Sequence, residues 1–138
     1  MADRGVLLDT CAVIWLARGE AMSPEAVQAI RAAGLGGGIH VSAATAWELS
    51  MLHARGRIDL RPDPKAWFRR FVSQQAIRVA GLTPDILMDS NSLPGAPQGD
   101  PFDRMIMATA RTLGLPIVTR DKAIIAYAQA GHVDVVGA

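Results

Sequence analysis

Four acidic side chains carry the chemistry this sequence could do: Asp9, Glu48, Asp103 and Asp121. Asp9 sits in GVLLDTCAVIWLA, residues 5–17, a stretch that is otherwise almost wholly apolar. An unpaired buried charge costs several kcal/mol, so something has to offset that cost. Glu48 poses the same problem in SAATAWELSML. Its neighbours one helical turn away are Ala44, Thr45, Met51 and Leu52, and no basic residue lies within a turn of it. The aspartates have a second use as helix N-caps. Asp9 and Asp121 each precede a helical stretch, and Asp100 with Asp103 resembles a capping box with Pro101 in the first turn. Asp100 is read mainly as a cap, whereas Glu48 has no such alternative.

Caps alone would be scattered over both ends of a sheet, but these four acids can converge on one edge. Carboxylates gathered a few ångströms apart repel, and their pKa values rise unless a cation is shared. Donors that are all oxygen select a hard ion such as Mg²⁺ or Mn²⁺. Such an ion suits phosphoryl chemistry: it binds a non-bridging phosphate oxygen, acidifies a bound water and neutralises charge during in-line attack. Zinc is not expected. His40 reads as a strand-end residue, His53 as an exposed helix residue and His132 as a loop residue, with no metal-binding pair at helical spacing. The single cysteine, Cys11, has no histidine near it in sequence and reads as a small packed residue.

The acids can act together only if the chain brings them to one edge. GVLLD, IHV, IRVAGL, PIVT and VDVV read as short strands, and helical stretches lie between them. SPEAVQAIRAAG is a helix capped by Ser23, with Pro24 and Glu25 in its first turn and Gly34 as its end. SAATAWELSMLHARG is apolar on most sides and is expected to be largely buried. PKAWFRRFVSQQ is amphipathic, and Trp67, Phe68 and Phe71 are not expected all to face one way. Further helices are expected over TCAVIWLARG, TPDILMDSN, DPFDRMIMATARTLG and DKAIIAYAQAG. This alternation implies an α/β sandwich with a mostly parallel sheet covered on both faces. Ligand sites of such sheets lie beyond the carboxyl ends of the strands. Asp9 follows VLL and Asp121 lies just beyond PIVT, so parallel strands would bring both to that edge.

The 138 residues suit a single domain over 1–138, and 50% hydrophobic content is enough for a real core. A net charge of +1 excludes a disordered acidic or basic tail protein but leaves nucleic acid open, because charge can be local. Arg55, Arg57, Arg61, Lys65, Arg69, Arg70 and Arg78 form a basic stretch diluted only by Asp59 and Asp63. By itself that stretch reads as a solvated face. The start MADRGVLLD lacks a signal peptide's apolar core, no apolar run is long enough to span a membrane, and one cysteine fits a reducing, cytoplasmic setting.

LLDTCAVIWLA, VSAATAWELSML, GDPFDRMIMATA and IVTRD, in that order and spacing, resemble PIN-domain ribonucleases, specifically VapC-type toxins of bacterial toxin–antitoxin pairs. The resemblance runs from Val6 to about Val136, and DPFDRMIMATA is its most specific segment. It implies a PIN-like three-layer α/β/α sandwich, with Asp9, Glu48, Asp103 and Asp121 as catalytic and metal-binding acids. It also implies Mg²⁺- or Mn²⁺-dependent cleavage of single-stranded or looped RNA, leaving 5′-phosphate and 3′-hydroxyl ends. A homodimer is implied too, as is a cognate antitoxin whose C-terminal segment covers the site. Cys11 stands where this branch often has histidine, which bears on fine substrate contacts. The basic stretch then gains weight as an RNA-facing surface. Thr10 and Thr119 could hydrogen-bond a ligand water or serve as caps, and Arg104, Arg120 and Lys122 could hold RNA phosphates or be simply solvated. Trp15, Trp47 and Trp67 read as core or interface residues rather than base-stacking platforms, and Phe68 is a candidate for an antitoxin or dimer contact.

Other acid-cluster α/β proteins fit less well. A haloacid-dehalogenase phosphatase needs Asp-x-Asp after its first strand, where this chain has DTCAV. A receiver domain needs an acidic pair there and an Asp ending a later strand, and IRVAGL offers none. A degenerate PIN-like module that binds RNA or protein without catalysis is the remaining alternative, and the retention of all four acids argues against it.

Overall fold

The computed structural model describes residues 4–138, so the first three residues of the start MADRGVLLD lie outside the described residues. The elements are β1 (Val6–Leu8), α1 (Thr10–Arg18), α2 (Pro24–Leu35), β2 (Ile39–Ser42), α3 (Ala43–Ala54), α4 (Pro64–Gln74), β3 (Ile77–Ala80), α5 (Pro84–Asp89), α6 (Pro101–Leu113), β4 (Ile117–Thr119), α7 (Lys122–Gln129) and β5 (Val135–Gly137). The strands form one sheet in the order β3-β2-β1-β4-β5, and every pairing is parallel.

The short strands are apolar at successive positions because the sheet is covered on both faces. Side chains alternate along a strand. Val6, Leu8 and Val118 therefore enter one apolar cluster with α1, α2, α4 and Leu49 of α3, while Leu7 and Ile117 enter a second with α5, α6 and α7. The result is the three-layer sandwich that the alternation of elements implies. Among the described residues no helix is long and apolar enough to cross a membrane.

From β1 the sheet grows through β2 and β3 on one side and through β4 and β5 on the other. The sheet therefore has its switch point between β1 and β4, where crossovers diverge and leave a crevice outside the carboxyl ends. Leu7 and Leu8 pair with Ile117 and Val118, which brings Asp9 and the residues after Thr119 to that crevice.

Five expectations are corrected. The helix read as ending at Gly34 runs on to Leu35 and closes at Gly36, whose N–H donates to the Ala33 carbonyl. A helical glycine costs only about 1 kcal/mol relative to alanine, so it does not by itself stop a helix. In α3 only Ala44, Thr45 and Leu49 are buried and Trp47 is 56% exposed, because the neighbours α1, α4, α6 and β2 leave part of the helix surface uncovered. In α4, Phe71 is buried and Trp67 and Phe68 pack partly buried against the same cluster. At 3.6 residues per turn these three positions span a sector of only about 100°, so one side holds them all. His40 is within β2 rather than at its end, and His53 is half-buried, its Nδ1 accepting from the Leu60 N–H at 3.1 Å.

Where the chain enters β1 it runs against the loop before β2. A Cβ on Gly5, whose φ is +87°, would lie 2.4 Å from the Gly38 carbonyl oxygen, and one on Gly37 would lie 2.3 Å from the Arg4 carbonyl carbon. We expect Gly5→Ala to lower stability by about 2–4 kcal/mol, from the left-handed backbone and the clash together. Gly56→Ala, at φ +70° in open space, should lose only about 1 kcal/mol. Urea unfolding of both variants checks this; equal losses would show that the close approach does not matter.

Candidate active site

The site is assembled around two threonine hydroxyls. Asp9 is 4% exposed and directly follows β1, with its N–H donating to the Val118 carbonyl at 3.2 Å. Its Oδ1 caps α1 by accepting from the Ala12 N–H at 2.8 Å, and its Oδ2 accepts from the Thr119 hydroxyl. Thr119 is fully buried at the end of β4, and its Oγ1 also accepts from the Asp121 N–H at 2.9 Å. Asp121 in turn caps α7 through the Ile124 N–H at 3.0 Å. One hydroxyl thus joins Asp9 to Asp121 across the switch point.

Glu48 is the other problem posed by the sequence, and Thr10 is its answer. The Thr10 hydroxyl donates to Glu48 Oε1 at 2.6 Å and lies 3.1 Å from the Thr45 hydroxyl. A threonine has one hydroxyl hydrogen, so Thr10 accepts from Thr45 while donating to Glu48. Thr10 and Thr119, candidate partners of a bound water, each hold a carboxylate directly, Thr10 that of Glu48 and Thr119 that of Asp9. Glu48 is also only half-buried, which lessens the desolvation that its apolar neighbours imply.

Asp103 stands in the first turn of α6 and makes no hydrogen bond among the described residues, so the capping box does not close. Asp100 alone caps α6, accepting from the Phe102 N–H at 2.7 Å. Asp9, Glu48, Asp100, Asp103 and Asp121 all line one cavity of about 290 Å³, with Thr10, Cys11, Trp15 and Arg120 completing its wall. Asp100, read mainly as a cap, is therefore both a cap and part of the cavity. A hollow of similar size, bounded by Arg4, Arg111, His132 and Asp134, lies at the opposite edge of the sheet and gathers no acid cluster.

Crowding shows in the proton affinities. Burial raises the Asp9 pKa, helped by Asp121 and Glu48, while the bonds from Thr119 and Ala12 pull it down. Glu48 is raised by burial and by Asp100 and Asp121, against the lowering bond from Thr10. Asp103 has no such bond, and burial followed by Asp121, Asp100, Glu48 and Asp9 pushes it up to about 7. Cys11, read as a small packed residue, is instead exposed in the cavity wall. Partial desolvation of its thiol, followed by Asp9, Glu48, Asp103 and Asp121, pushes it up to about 11, so it stays protonated at neutral pH and is no nucleophile.

Among the described residues no three His, Cys, Asp or Glu side chains form a finished metal-binding group. The donor chemistry still fits a hard dication. Five carboxylates and the Thr10 hydroxyl dominate it, the pKa values of Asp9, Glu48 and Asp103 are raised, Cys11 is the one sulfur, and no imidazole lines the cavity. The basic stretch of residues 55–78 does not reach it. There Arg61 pairs with Asp59 at 2.6 Å and Arg70 donates to the Arg61 carbonyl at 2.8 Å, both on the surface. Two aromatic contacts carried no local sequence signal: Trp47 stacks on Phe102 with centroids 4.8 Å apart, and the Arg120 guanidinium lies over Trp15.

A parallel sandwich whose central strand ends converge on a carboxylate-lined cavity defines an acid-cluster α/β protein of the kind that handles hard cations and phosphate. The profile of the PIN domain matches residues 6–130, and the chain belongs to the PIN domain family. It is 35% identical over 118 residues to "Ribonuclease VapC22" of Mycobacterium tuberculosis, covering 85% of this chain and 87% of that protein. Its fold is similar to a chain of a toxin–antitoxin complex from Klebsiella pneumoniae, with TM-score 0.62, 21% identity and 96% of each chain covered. It is also similar to a chain of VapBC2 from Rickettsia felis, solved with a promoter DNA fragment, with TM-score 0.65, 12% identity and coverage of 96% and 97%.

Two outcomes are expected. Folded Asp103 keeps its proton to about pH 7, whereas an aspartate's ordinary value is 3.8. Between these values the folded state binds more protons, so stability falls as pH rises from about 4 to about 7 and stays low above that. Urea midpoints of metal-free protein across this range should show the fall, and Asp103→Asn should remove most of it; a flat wild-type profile would overturn the assignment. Thr119→Val strands the Asp9 oxygen and the Asp121 N–H together, and should cost about 1–3 kcal/mol in the same unfolding measurement at pH 7.5 or so.

Proposed function

We propose that this chain is a metal-dependent endoribonuclease, the toxin of a type II toxin–antitoxin pair. The observation that carries the reading is the single cavity at the β1/β4 switch point, lined by Asp9, Glu48, Asp103 and Asp121 together with Asp100. Membership of the PIN family and the 35% identity to a ribonuclease support it.

Asp9, Glu48, Asp103 and Asp121 would hold Mg²⁺ or Mn²⁺. When bound, the ion supplies Lewis acidity, neutralising phosphate charge and making a water more acidic. The chain's own part is preorganisation. The Ala12 N–H and Thr119 hydroxyl fix Asp9, one on each oxygen, and each carboxylate oxygen keeps a further lone pair for a cation. Thr10 holds Glu48 by Oε1 and leaves Oε2 to the cavity ligand. Hydrolysis adds water oxygen to phosphorus, breaks the bond to the 3′ oxygen and delivers a proton to that oxygen. The products are 5′-phosphate and 3′-hydroxyl ends.

A cognate antitoxin is the partner this reading requires, and chains of similar fold occur in toxin–antitoxin complexes. We further propose that the protein works as a homodimer on single-stranded or looped RNA in the cytoplasm.

Cleavage of RNA by the purified protein tests the activity, with Mg²⁺, Mn²⁺ and EDTA compared. We expect metal-dependent cutting that falls by at least about 100-fold in Asp9→Asn and Asp103→Asn, because even groups behind the ligands are worth about 10–100-fold. Equal cutting by wild type and Asp9→Asn would mean a contaminating nuclease, and metal binding by neither protein in calorimetry would leave only a binding module. Growth arrest on expression, relieved by co-expressing a small DNA-binding protein encoded next to it, tests the toxin assignment.

A further inference from the structure

Trp47 is read from the sequence as a core or interface residue, and the structure does not place it in the core. It is 56% exposed, on a helix whose buried positions are Ala44, Thr45 and Leu49. The other two tryptophans are engaged inside the fold. Trp67 stacks on Phe71 within an apolar cluster, and Trp15 packs against the same cluster with the Arg120 guanidinium over its ring. Trp47 meets one ring, that of Phe102 on α6, with centroids 4.8 Å apart and planes 28° from parallel. Phe102 is half-buried and is not among the side chains packed against either apolar cluster. One face of the Trp47 indole is therefore covered by Phe102, and the other is open.

The stacked pair joins the two helices that carry acids of the cavity. Trp47 directly precedes Glu48 on α3. Phe102 lies two residues after Asp100 and directly precedes Asp103 on α6. Successive helical side chains point about 100° apart, so the rings stand beside the acids, and neither lines the cavity itself. A cationic side chain at this place would be drawn onto the carboxylates. An indole carries no charge to lose, and it can hold an unpaired strand by the flat face of a base. The open face is also solitary. Among the described residues no other large apolar side chain of α3 is exposed, and the exposed one of α6, Leu113, is at the far end of that helix. Surfaces that dock proteins present broad apolar patches, whereas one exposed ring matches the size of one base.

We propose that Trp47, backed by Phe102, is a stacking platform for the RNA base beside the phosphate that is cut. Stacking accepts any base because every base has a π-face. Trp47 therefore sets where the strand lies over the acids rather than which sequence is chosen. This rests on the ribonuclease reading and adds a substrate-binding residue to it.

The test pairs a missing ring with a missing base. Anisotropy of a labelled single-stranded RNA of mixed sequence is followed in Ca²⁺, which takes oxygen ligands in a looser geometry than Mg²⁺. A series of the same RNA lacks the base at one position each. We expect Trp47→Ala to weaken binding by between about fivefold and about 150-fold, the usual effect of one stacked base. The slope of log K against log salt should stay unchanged, because no phosphate contact is lost. Trp47→Phe should recover most of the affinity. In wild type one abasic position should weaken binding about as much as Trp47→Ala does. In Trp47→Ala that same position should weaken it no further, the coupling expected of two groups in contact. Wild-type affinity in Trp47→Ala, or the same abasic losses in both proteins, overturns the platform. So does a Trp47→Ala protein that loses self-association in sedimentation while keeping the wild-type abasic pattern, which would mean a contact between copies of the chain. Should Trp47→Ala not fold, Trp47→Leu, which keeps apolar bulk without a π-face, decides by the same criterion. Wild type that binds and cuts RNA while these variants match it rejects the platform alone; wild type that neither binds nor cuts rejects the ribonuclease reading with it.

Discussion

The hydroxyl of Thr119 sits between Asp9 and the Asp121 amide, and the geometry of the site depends on it. It is fully buried at the seam between the two strands where the sheet's crossovers diverge. The backbone at that seam is already committed to strand pairing, so only side chains can set how the two acidic helix starts face each other. One donor and one acceptor on a single oxygen do this. They also supply part of what makes a carboxylate tolerable at 4% exposure.

The cavity holds the least comfortable groups in the molecule. Burial and like charge raise the proton affinity of Asp9, Glu48 and Asp103 together, most evidently for Asp103, which has no hydrogen-bond donor of its own. The two apolar clusters on either face of the sheet supply the stability that lets this strain persist. Such a balance is expected where a protein keeps acids for a ligand rather than for its own folding.

Capping and site chemistry turn out to be one arrangement. Asp9, Asp100 and Asp121 each give one oxygen to a backbone N–H at the start of a helix, and all three line the cavity. A carboxylate has two oxygens, so the caps leave the second oxygen of Asp100 and Asp121 available, while at Asp9 Thr119 takes it and a lone pair remains on each. The helix starts also place partial positive charge beside the acids, which eases their crowding. Arg120, the basic residue of the cavity wall, is turned to other partners: Ala138 at the end of the chain, the Ala21 carbonyl and the Trp15 ring.

Features with local causes were legible in the amino-acid sequence. Short apolar runs between helical stretches implied a two-sided parallel sheet, Asp and Ser before helical patterns marked N-caps, and Asp9, Glu48, Asp103 and Asp121 stood out as acids in poor surroundings. Helix ends among several glycines, the exposure of α3 and the shared face of Trp67, Phe68 and Phe71 were read less well, because each depends on what packs alongside. The sequence by itself determined which residues could do chemistry and on which elements they lie. Only the tertiary structure decided what holds them. Thr10 meets Glu48, Thr119 meets Asp9 and Arg120 meets Trp15 across long chain separations, 110 residues for Thr119 and Asp9. A hydrogen bond or ring contact acts over a few ångströms of space and leaves no mark on spacing along the chain, so these pairings exist only once the sheet order is set.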